Sequence, residues 1–90
     1  MTIRLTLDLV ALGPVIPVIV LDRVEQAVPL ARALVAGGVR VLEVTLRTPA
    51  ALACIEAIAR DVPEAVLGAG TLRSAADVRA ARDAGCVFGV

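Results

Sequence analysis

The 90-residue sequence lacks several residue types on which much enzyme chemistry depends. It contains no lysine, histidine, tyrosine or tryptophan, and a single phenylalanine. Without histidine, these residues cannot form a Ser-His-Asp triad or a histidine-ligated metal site. Without lysine, none of their side chains can form a Schiff base with a carbonyl compound. The candidates for function are therefore carboxylates, arginines and hydroxyl groups.

The chain also has no formal net charge and contains two cysteines. Nine arginines balance nine acidic residues, so the formal net charge is zero. This gives no electrostatic basis for binding nucleic acid or an anionic membrane. The two cysteines, Cys54 and Cys86, are far apart and match no metal-ligand spacing. We expect free thiols rather than a disulfide, as is usual in the cytosol.

The sequence has no uninterrupted apolar run long enough to span a bilayer. The stretch from Leu9 to Leu21 is mostly apolar but contains Gly13, Pro14 and Pro17. A bilayer requires about 18 or more apolar residues, and a signal peptide requires an unbroken apolar centre. We interpret the stretch as a short helix followed by a buried strand, and we expect a cytoplasmic protein.

Apolar residues, in contrast, are abundant, at 59% of the chain. A typical globular domain has about 45–50% apolar residues with glycine included, so disorder is excluded. A 90-residue globule has a large surface for its volume, which makes so much apolar surface hard to bury. The composition therefore predicts an oligomer, a missing part of the protein, or both.

Strand-like and helix-like segments alternate along the chain. The predicted strands begin at about 24-residue intervals, a spacing typical of βα repeats. They comprise 15–20, 39–46, 65–69 and 86–90. Continuous β-branched runs such as the first are typical of parallel strands buried on both faces. Pro17 lacks a backbone donor, so we place it near the start of its strand.

The helices between these strands are predicted from start and stop signals. The helices are predicted to start at a capping box formed by Asp22 with Glu25, at a cap at Thr48 before Pro49, and at a cap at Ser74 with Asp77. They are predicted to end at Gly37-Gly38, at Asp61–Pro63 and at Gly85. Pro29 should kink the first of these helices or delay its start.

Parallel βα units can build a doubly wound sheet or a (β/α)₈ barrel. A four-stranded sheet without a return helix after its last strand would have a long apolar edge. Eight such units would total a little under 200 residues, at the small end for a barrel. We predict an α/β fold, the N-terminal half of a (β/α)₈ TIM barrel. It would have four strands, three helices and a short N-terminal helix, with residues 1–90 forming one unit.

Glu43 is the first candidate for chemistry, since it interrupts an apolar strand. Alternation places Val41, Glu43 and Thr45 on one face of that strand. A charge facing the helices would be costly. Facing the mouth of the barrel lumen, the carboxylate would suit proton transfer. The alternative is a structural glutamate held in a salt bridge.

Three further polar residues lie at strand ends, where barrel active sites are found. Arg47 could grip a carboxylate or phosphate, or be an ordinary solvated arginine. Thr71 follows Gly68-Ala69-Gly70, where small residues could let a ligand approach, or it could lie in an ordinary turn. Thr45 could share the lumen with Glu43, but we favour strand propensity as its explanation. Arg73 occupies the third glycine position of a dinucleotide-binding fingerprint, so a nucleotide site is disfavoured.

Three segments closely resemble the bacterial 2-keto-3-deoxy-6-phosphogluconate (KDPG) aldolases, a family that includes 4-hydroxy-2-oxoglutarate (KHG) aldolase activity. They are GPVIPVI at 13–19, ALVAGGVRVLEVTLRT at 33–48 and GAGT at 68–71. The resemblance covers the chain from about Gly13 to its end. It implies a cytoplasmic, metal-free and cofactor-free class I aldolase, a lyase, on a trimeric (β/α)₈ barrel.

The resemblance also implies the reaction and its residues. The enzyme would cleave KDPG to pyruvate and glyceraldehyde 3-phosphate, the closing step of the Entner–Doudoroff pathway of carbohydrate metabolism, or KHG to pyruvate and glyoxylate. Glu43 matches the glutamate that shuttles protons, and Arg47 and Thr71 match residues that hold the pyruvate carboxylate. The implied partner is a small 2-keto acid, with neither nucleic acid nor membrane.

One departure from the family is serious. The Schiff-base lysine of the family lies on a later strand, and this chain contains no lysine. We therefore expect a fragment that is inactive alone. The alternatives are an inactive, self-associating half-barrel acting as a structural or assembly module, and a substrate-binding or regulatory fragment without chemistry.

Overall fold

The computed structural model describes residues 15–90, and the predicted N-terminal helix lies outside that range. The described residues form four strands and three α-helices. In chain order these are β1 (Val18–Ile19), a 3-10 helix (Val24–Gln26), α1 (Ala27–Ala36), β2 (Val41–Thr45), α2 (Ala51–Asp61), β3 (Val66–Gly70), α3 (Ala75–Ala84) and β4 (Phe88–Gly89).

The strands form one parallel sheet in the order β1-β2-β3-β4. Buried residues from all three helices form a single apolar cluster with the sheet. A doubly wound sheet would reverse its strand order and place helices on both faces. Sequential order with the helices on one face is the arrangement of a barrel. The predicted α/β fold of parallel βα repeats is confirmed.

The two faces of the sheet differ in composition. The helix face carries five buried apolar residues, Ile19, Leu42, Val44, Leu67 and Ala69. The opposite face, called the far face below, carries Val18, Val41, Glu43, Thr45, Val66, Gly68, Gly70 and Phe88. Val41, Glu43 and Thr45 therefore share a face, as the alternation predicts.

Two predicted helix starts are wrong. No side chain caps the 3-10 helix, and α1 begins at Ala27, so Pro29 is its third residue. Backbone N–H groups in the first turn have no intrahelical partner, so proline costs little there. The Thr48 hydroxyl donates to the carbonyl of Leu21 instead of capping α2, which begins at Ala51.

The predicted start of α3 is confirmed. The Ser74 hydroxyl accepts a hydrogen bond from the Asp77 backbone N–H at 3.1 Å. The Asp77 carboxylate in turn accepts one from the Arg73 backbone N–H at 3.0 Å. Each side chain satisfies a backbone donor at the helix start, as in a capping box.

Glycine ends α1 and α3 in the same way. Gly38 and Gly85 have φ angles of 94° and 124°, which favour glycine. After α1, Val39 N–H bonds to the Leu34 carbonyl at 2.9 Å and Gly38 N–H to the Val35 carbonyl at 3.0 Å. This Schellman motif turns the chain sharply into β2.

Candidate active site

Glu43 lies on the far face, away from the apolar cluster beneath the helices. In the sheet register its neighbours are Val18 on β1 and Gly68 on β3. It is half-buried. The two ion pairs found among residues 15–90, Arg60–Asp61 and Arg82–Asp83, do not involve it. The structural alternative, a salt-bridged glutamate, therefore has no partner in the described part of the chain.

The Glu43 carboxylate extends toward the carboxyl end of the sheet. Its Cδ atom would lie 3.1 Å from a Cβ built on Gly70, two residues beyond its register partner Gly68. Side chains in strands commonly lean along the strand direction. The carboxylate therefore lies toward the edge where β2 and β3 end.

Arg47 and Thr71 meet at that edge. Arg47 is two residues past the end of β2, and Thr71 is the first residue after β3. The Arg47 Nε donates a hydrogen bond to the Thr71 Oγ1 at 3.3 Å. Because a guanidinium has five N–H donors, this bond leaves others that can bind an anion. The structure thus brings together two of the three predicted residues.

Thr71 has an unusual backbone conformation. Its φ angle is 60°, in the left-handed region, and it is the one non-glycine residue of 15–90 with a positive φ. That region is a strong outlier for a β-branched residue. Such strain costs of order 1–3 kcal/mol and clusters at functional sites. The turn at Thr71 is therefore a strained one.

Thr45 has a structural role. It is buried, and its hydroxyl donates to the Ile19 carbonyl at 3.3 Å, which ties β2 to β1. This agrees with the interpretation of Thr45 as a strand residue.

Side chains from the neighbouring strands occupy the space above the two glycines of β3, a feature that we did not predict. That space was expected to admit a ligand. Instead, a Cβ on Gly68 would overlap the Phe88 ring, and one on Gly70 would overlap the Glu43 carboxylate. Two glycines separated by one residue in a strand lie on the same face. This spacing is the sequence signal for neighbouring side chains packing over that face of β3.

The two cysteines are free thiols. Cys54 is buried in α2, and its thiol donates to the Arg23 carbonyl at 3.7 Å. Burial, with a smaller contribution from Glu25, raises the pKa of Cys54. Burial raises the pKa of Cys86 to about 11. Neither thiol forms an appreciable amount of thiolate, the nucleophilic form, near neutral pH.

Membrane-spanning helices and metal-binding clusters are absent from residues 15–90. No helix there is long and apolar enough to cross a membrane. No group of three or more histidine, cysteine, aspartate or glutamate residues in this range is placed to hold a metal ion. A cavity of about 220 Å³ lies between α3 and β4, lined mostly by apolar residues that include Leu72, Val78 and Phe88. Glu43, Arg47 and Thr71 do not line it.

Comparison with known proteins identifies the family. The family model "KDPG and KHG aldolase" matches residues 7–90. A 2-dehydro-3-deoxy-phosphogluconate aldolase of Pseudoalteromonas atlantica is 54% identical, with 92% of this chain and 39% of the relative aligned. A KHG/KDPG aldolase of Escherichia coli is 56% identical, with 87% of this chain and 37% of the relative aligned.

Solved structures agree with these relatives. The KDPG aldolase of Zymomonas mobilis, crystallised with 3-phosphoglycerate, has a TM-score of 0.81 and 54% identity, covering 87% of this chain and 37% of that one. The KDPG aldolase of Legionella pneumophila, with pyruvate captured as a covalent carbinolamine, has a TM-score of 0.83 and 47% identity. The match covers 88% of this chain and 38% of that one.

The chain thus spans about two fifths of the length of these relatives, and the matched region is their N-terminal part. Both the sequence and the fold over that region are those of the relatives. The chain therefore belongs to the KDPG and KHG aldolase family.

Proposed function

We propose that these 90 residues supply one side of the active site of a class I aldolase. The substrate would be KDPG, cleaved to pyruvate and glyceraldehyde 3-phosphate, or KHG, cleaved to pyruvate and glyoxylate. The observation that carries this proposal is the Arg47–Thr71 contact at the carboxyl edge of the sheet, with the Glu43 carboxylate directed to the same edge. The oligomer would be a trimer located in the cytoplasm.

In this proposal Arg47 and Thr71 hold the carboxylate that pyruvate and both substrates share. The guanidinium gives charge-assisted hydrogen bonds to the carboxylate, and the hydroxyl fixes its orientation. Arg47 is exposed and already oriented by Thr71, so an incoming anion meets a positioned cation. The 2-keto carbon would then lie at a fixed distance from the carboxylate anchor.

Glu43 would move the protons. An amine adds to the keto carbon to give a carbinolamine, which loses water to form a Schiff base. Cleavage of the C3–C4 bond requires loss of the C4 hydroxyl proton, and the resulting enamine takes up a proton at C3. A single carboxylate can carry each of these protons in turn, provided it lies beside the reacting atoms.

The amine must come from outside these residues. The 90 residues contain no lysine. We therefore predict that the chain alone forms no Schiff base through a side chain and does not cleave either substrate. The activity belongs to a barrel that supplies the missing lysine.

A completed barrel tests this proposal. We define it as this chain joined after Val90 to the C-terminal part of the Zymomonas mobilis relative that this chain does not match. We expect the completed barrel to release pyruvate from KDPG or KHG. With pyruvate and borohydride it should gain the mass of one reduced adduct, and the 90-residue chain should not. A folded completed barrel without either activity, or a stoichiometric adduct on the chain alone, would contradict the proposal.

A second candidate is a self-associating module without catalysis. Large apolar side chains are exposed on and beside the edge strands, at Val18, Val20, Val87 and Val90 among others. Exposed apolar surface of this kind marks an interaction site. Sedimentation of the 90-residue chain tests this candidate: a monodisperse monomer that melts cooperatively would exclude it.

A further inference from the structure

Gly70, which the proposed function does not use, is in close contact with Glu43. Gly70 is buried, ends β3 and pairs with Thr45 in the register of the sheet. A Cβ on Gly70 would lie 3.1 Å from the Glu43 Cδ and 3.3 Å from the Thr45 Cγ2, and would overlap the Glu43 Oε2. The carboxylate therefore occupies the space that any other residue at position 70 would fill.

Phe88 explains why the carboxylate lies above Gly70 rather than above Gly68. Gly68 is the residue directly beside Glu43 on β3, and it pairs with Phe88 on β4. The Phe88 ring covers the space above Gly68 so closely that a Cβ there would overlap three ring carbons. With that space filled, the open position for the carboxylate is the next one toward the strand end.

This position places Glu43 beside the proposed carboxylate anchor. Gly70 is covalently followed by Thr71, whose hydroxyl accepts the hydrogen bond from Arg47. One short segment, Gly68–Thr71, thus sets the place of the Glu43 carboxylate and of the Thr71 hydroxyl. Relative placement of this kind matters in catalysis, since an error of about 1 Å can cost about 100-fold in rate.

We propose that Gly70 is a positioning residue: its missing side chain seats the Glu43 carboxylate at the end of β3, next to Thr71. The proposal rests on the proposed role of Glu43 as proton shuttle. Gly70 itself touches no reacting atom and acts through Glu43.

The expected effect of Gly70→Ala is a loss of rate rather than a loss of fold. The overlapping atom is at the far end of a flexible side chain, so the carboxylate can rotate away from the added methyl group. In the completed barrel we expect kcat to fall about 10- to 100-fold. KM should change less than about threefold, because Arg47 and Thr71 remain in place.

A double-mutant cycle shows whether the loss passes through Glu43. Glu43→Gln keeps the shape of the side chain but removes its proton acceptor. If Gly70 acts through that acceptor, Gly70→Ala should lower kcat little further in the Glu43→Gln background. Additive losses, or a Gly70→Ala variant that turns over like the parent, would overturn the proposal.

Gly37 serves as a control, and Gly68 tests the role of Phe88. Gly37 has an ordinary φ of −84°, and a Cβ there would lie 3.5 Å from the nearest atom, the Ala33 carbonyl oxygen. Gly37→Ala should therefore leave kcat unchanged. Gly68→Ala adds a methyl group to the same strand and face but displaces Phe88. Because the Phe88 ring keeps the Glu43 carboxylate above Gly70, the loss of kcat in Gly68→Ala should also be largely non-additive with Glu43→Gln. Fully additive losses would show that Phe88 does not direct the carboxylate.

An NMR measurement keeps this test separate from the test of the proposed function. A nuclear Overhauser effect between the Glu43 γ-protons and the Gly70 α-protons, recorded on the 90-residue chain and on the completed barrel, reports the contact directly. We expect it in both proteins and expect the Glu43 γ signals to move in Gly70→Ala. Its absence in both would overturn the positioning role. If it is present while the completed barrel neither cleaves substrate nor forms an adduct, the proposed function fails and the contact stands without a catalytic role.

Discussion

The ten residues of β2 and β3 divide between two faces of the sheet that differ in composition. On the helix face, Leu42, Val44, Leu67 and Ala69 are 0–2% exposed and pack into one apolar cluster. On the far face, a carboxylate, a hydroxyl and two glycines interrupt the apolar pattern. Alternation thus lets two strands serve folding on one side and hold a candidate site on the other.

The first prediction compares adjacent residues on opposite faces, Leu42 and Glu43. Leu42 is fully buried, so Leu42→Ala should lower the free energy of unfolding by about 2–5 kcal/mol. The kcat per folded completed barrel should stay within about threefold. Glu43→Gln should show the reverse pattern. It should lower kcat by about 100-fold and change the free energy of unfolding by less than about 0.5 kcal/mol.

Urea denaturation and steady-state kinetics on both variants check this prediction. If Glu43→Gln unfolds as easily as Leu42→Ala, or turns over like the parent, then the carboxylate is structural and its assignment as proton shuttle is wrong.

The second prediction concerns the thiol of Cys86, which does not belong to the proposed site. Burial raises the pKa of Cys86 to about 11, so its thiolate fraction at pH 8 is far below that of a free cysteine. Iodoacetamide should therefore alkylate Cys86 roughly 100-fold more slowly than it alkylates free cysteine, since the thiolate is the reacting form.

The raised pKa also makes stability depend on pH. The unfolded chain loses the thiol proton first, so the contribution of Cys86 to stability is complete below about pH 8.5 and is lost as pH rises to about 11. Urea denaturation between these pH values should show this decline, and Cys86→Ala should reduce it. Rapid alkylation of the folded chain at pH 8 would contradict the burial of this thiol.

Prediction from the sequence succeeded where a short stretch of residues permits one physically favourable arrangement. The parallel strands, the Ser74 cap, the helix-ending glycines and the shared face of Val41, Glu43 and Thr45 were all predicted. Pro17 lies just before β1, where its carbonyl accepts from the Glu43 N–H at 3.0 Å and its missing donor is not needed. The signal for each of these features lies in residues close together in the chain, even where the contacts themselves are distant.

Two of the predictions that failed depend on residues distant in sequence. Thr48 carries a capping pattern, yet its hydroxyl bonds to the carbonyl of Leu21, 27 residues earlier. Strand lengths were also overestimated at the sheet edges: β1 and β4 have two residues each, whereas β2 and β3 have five. A strand is only as long as its pairing, and an apolar run does not reveal how many of its residues are paired.

The third prediction contrasts two exposed arginines near the carboxyl ends of β2 and β3. Arg47→Ala removes the proposed cationic anchor, whose charge-assisted hydrogen bonds contribute about 1.5–3 kcal/mol. In the completed barrel this should raise KM about 10- to 100-fold with a smaller change in kcat. Arg73→Ala removes an arginine that is also exposed and whose backbone N–H donates to Asp77, and it should leave KM within about threefold. Equal effects of the two substitutions would show a diffuse charge effect rather than a carboxylate anchor.

The smallest predicted effect separates two threonines at the ends of β2 and β3. Thr71→Val removes the hydroxyl that accepts from Arg47 and should raise KM about 2- to 10-fold, since such a hydrogen bond contributes about 0.5–1.5 kcal/mol. Thr71→Gly should raise KM equally. It should also leave stability unchanged or raise it by up to about 1 kcal/mol, because relief of the left-handed φ offsets the entropy that glycine loses on folding.

Thr45→Val should instead lower stability without affecting KM. It deletes the buried bond to the Ile19 carbonyl, so stability should fall by about 1 kcal/mol while KM is unchanged. Kinetics and urea denaturation on the three variants decide the matter. If Thr71→Gly destabilises the protein as Thr45→Val does, the strain at Thr71 is not released by glycine, and the hydroxyl of Thr71 supports the fold rather than the site.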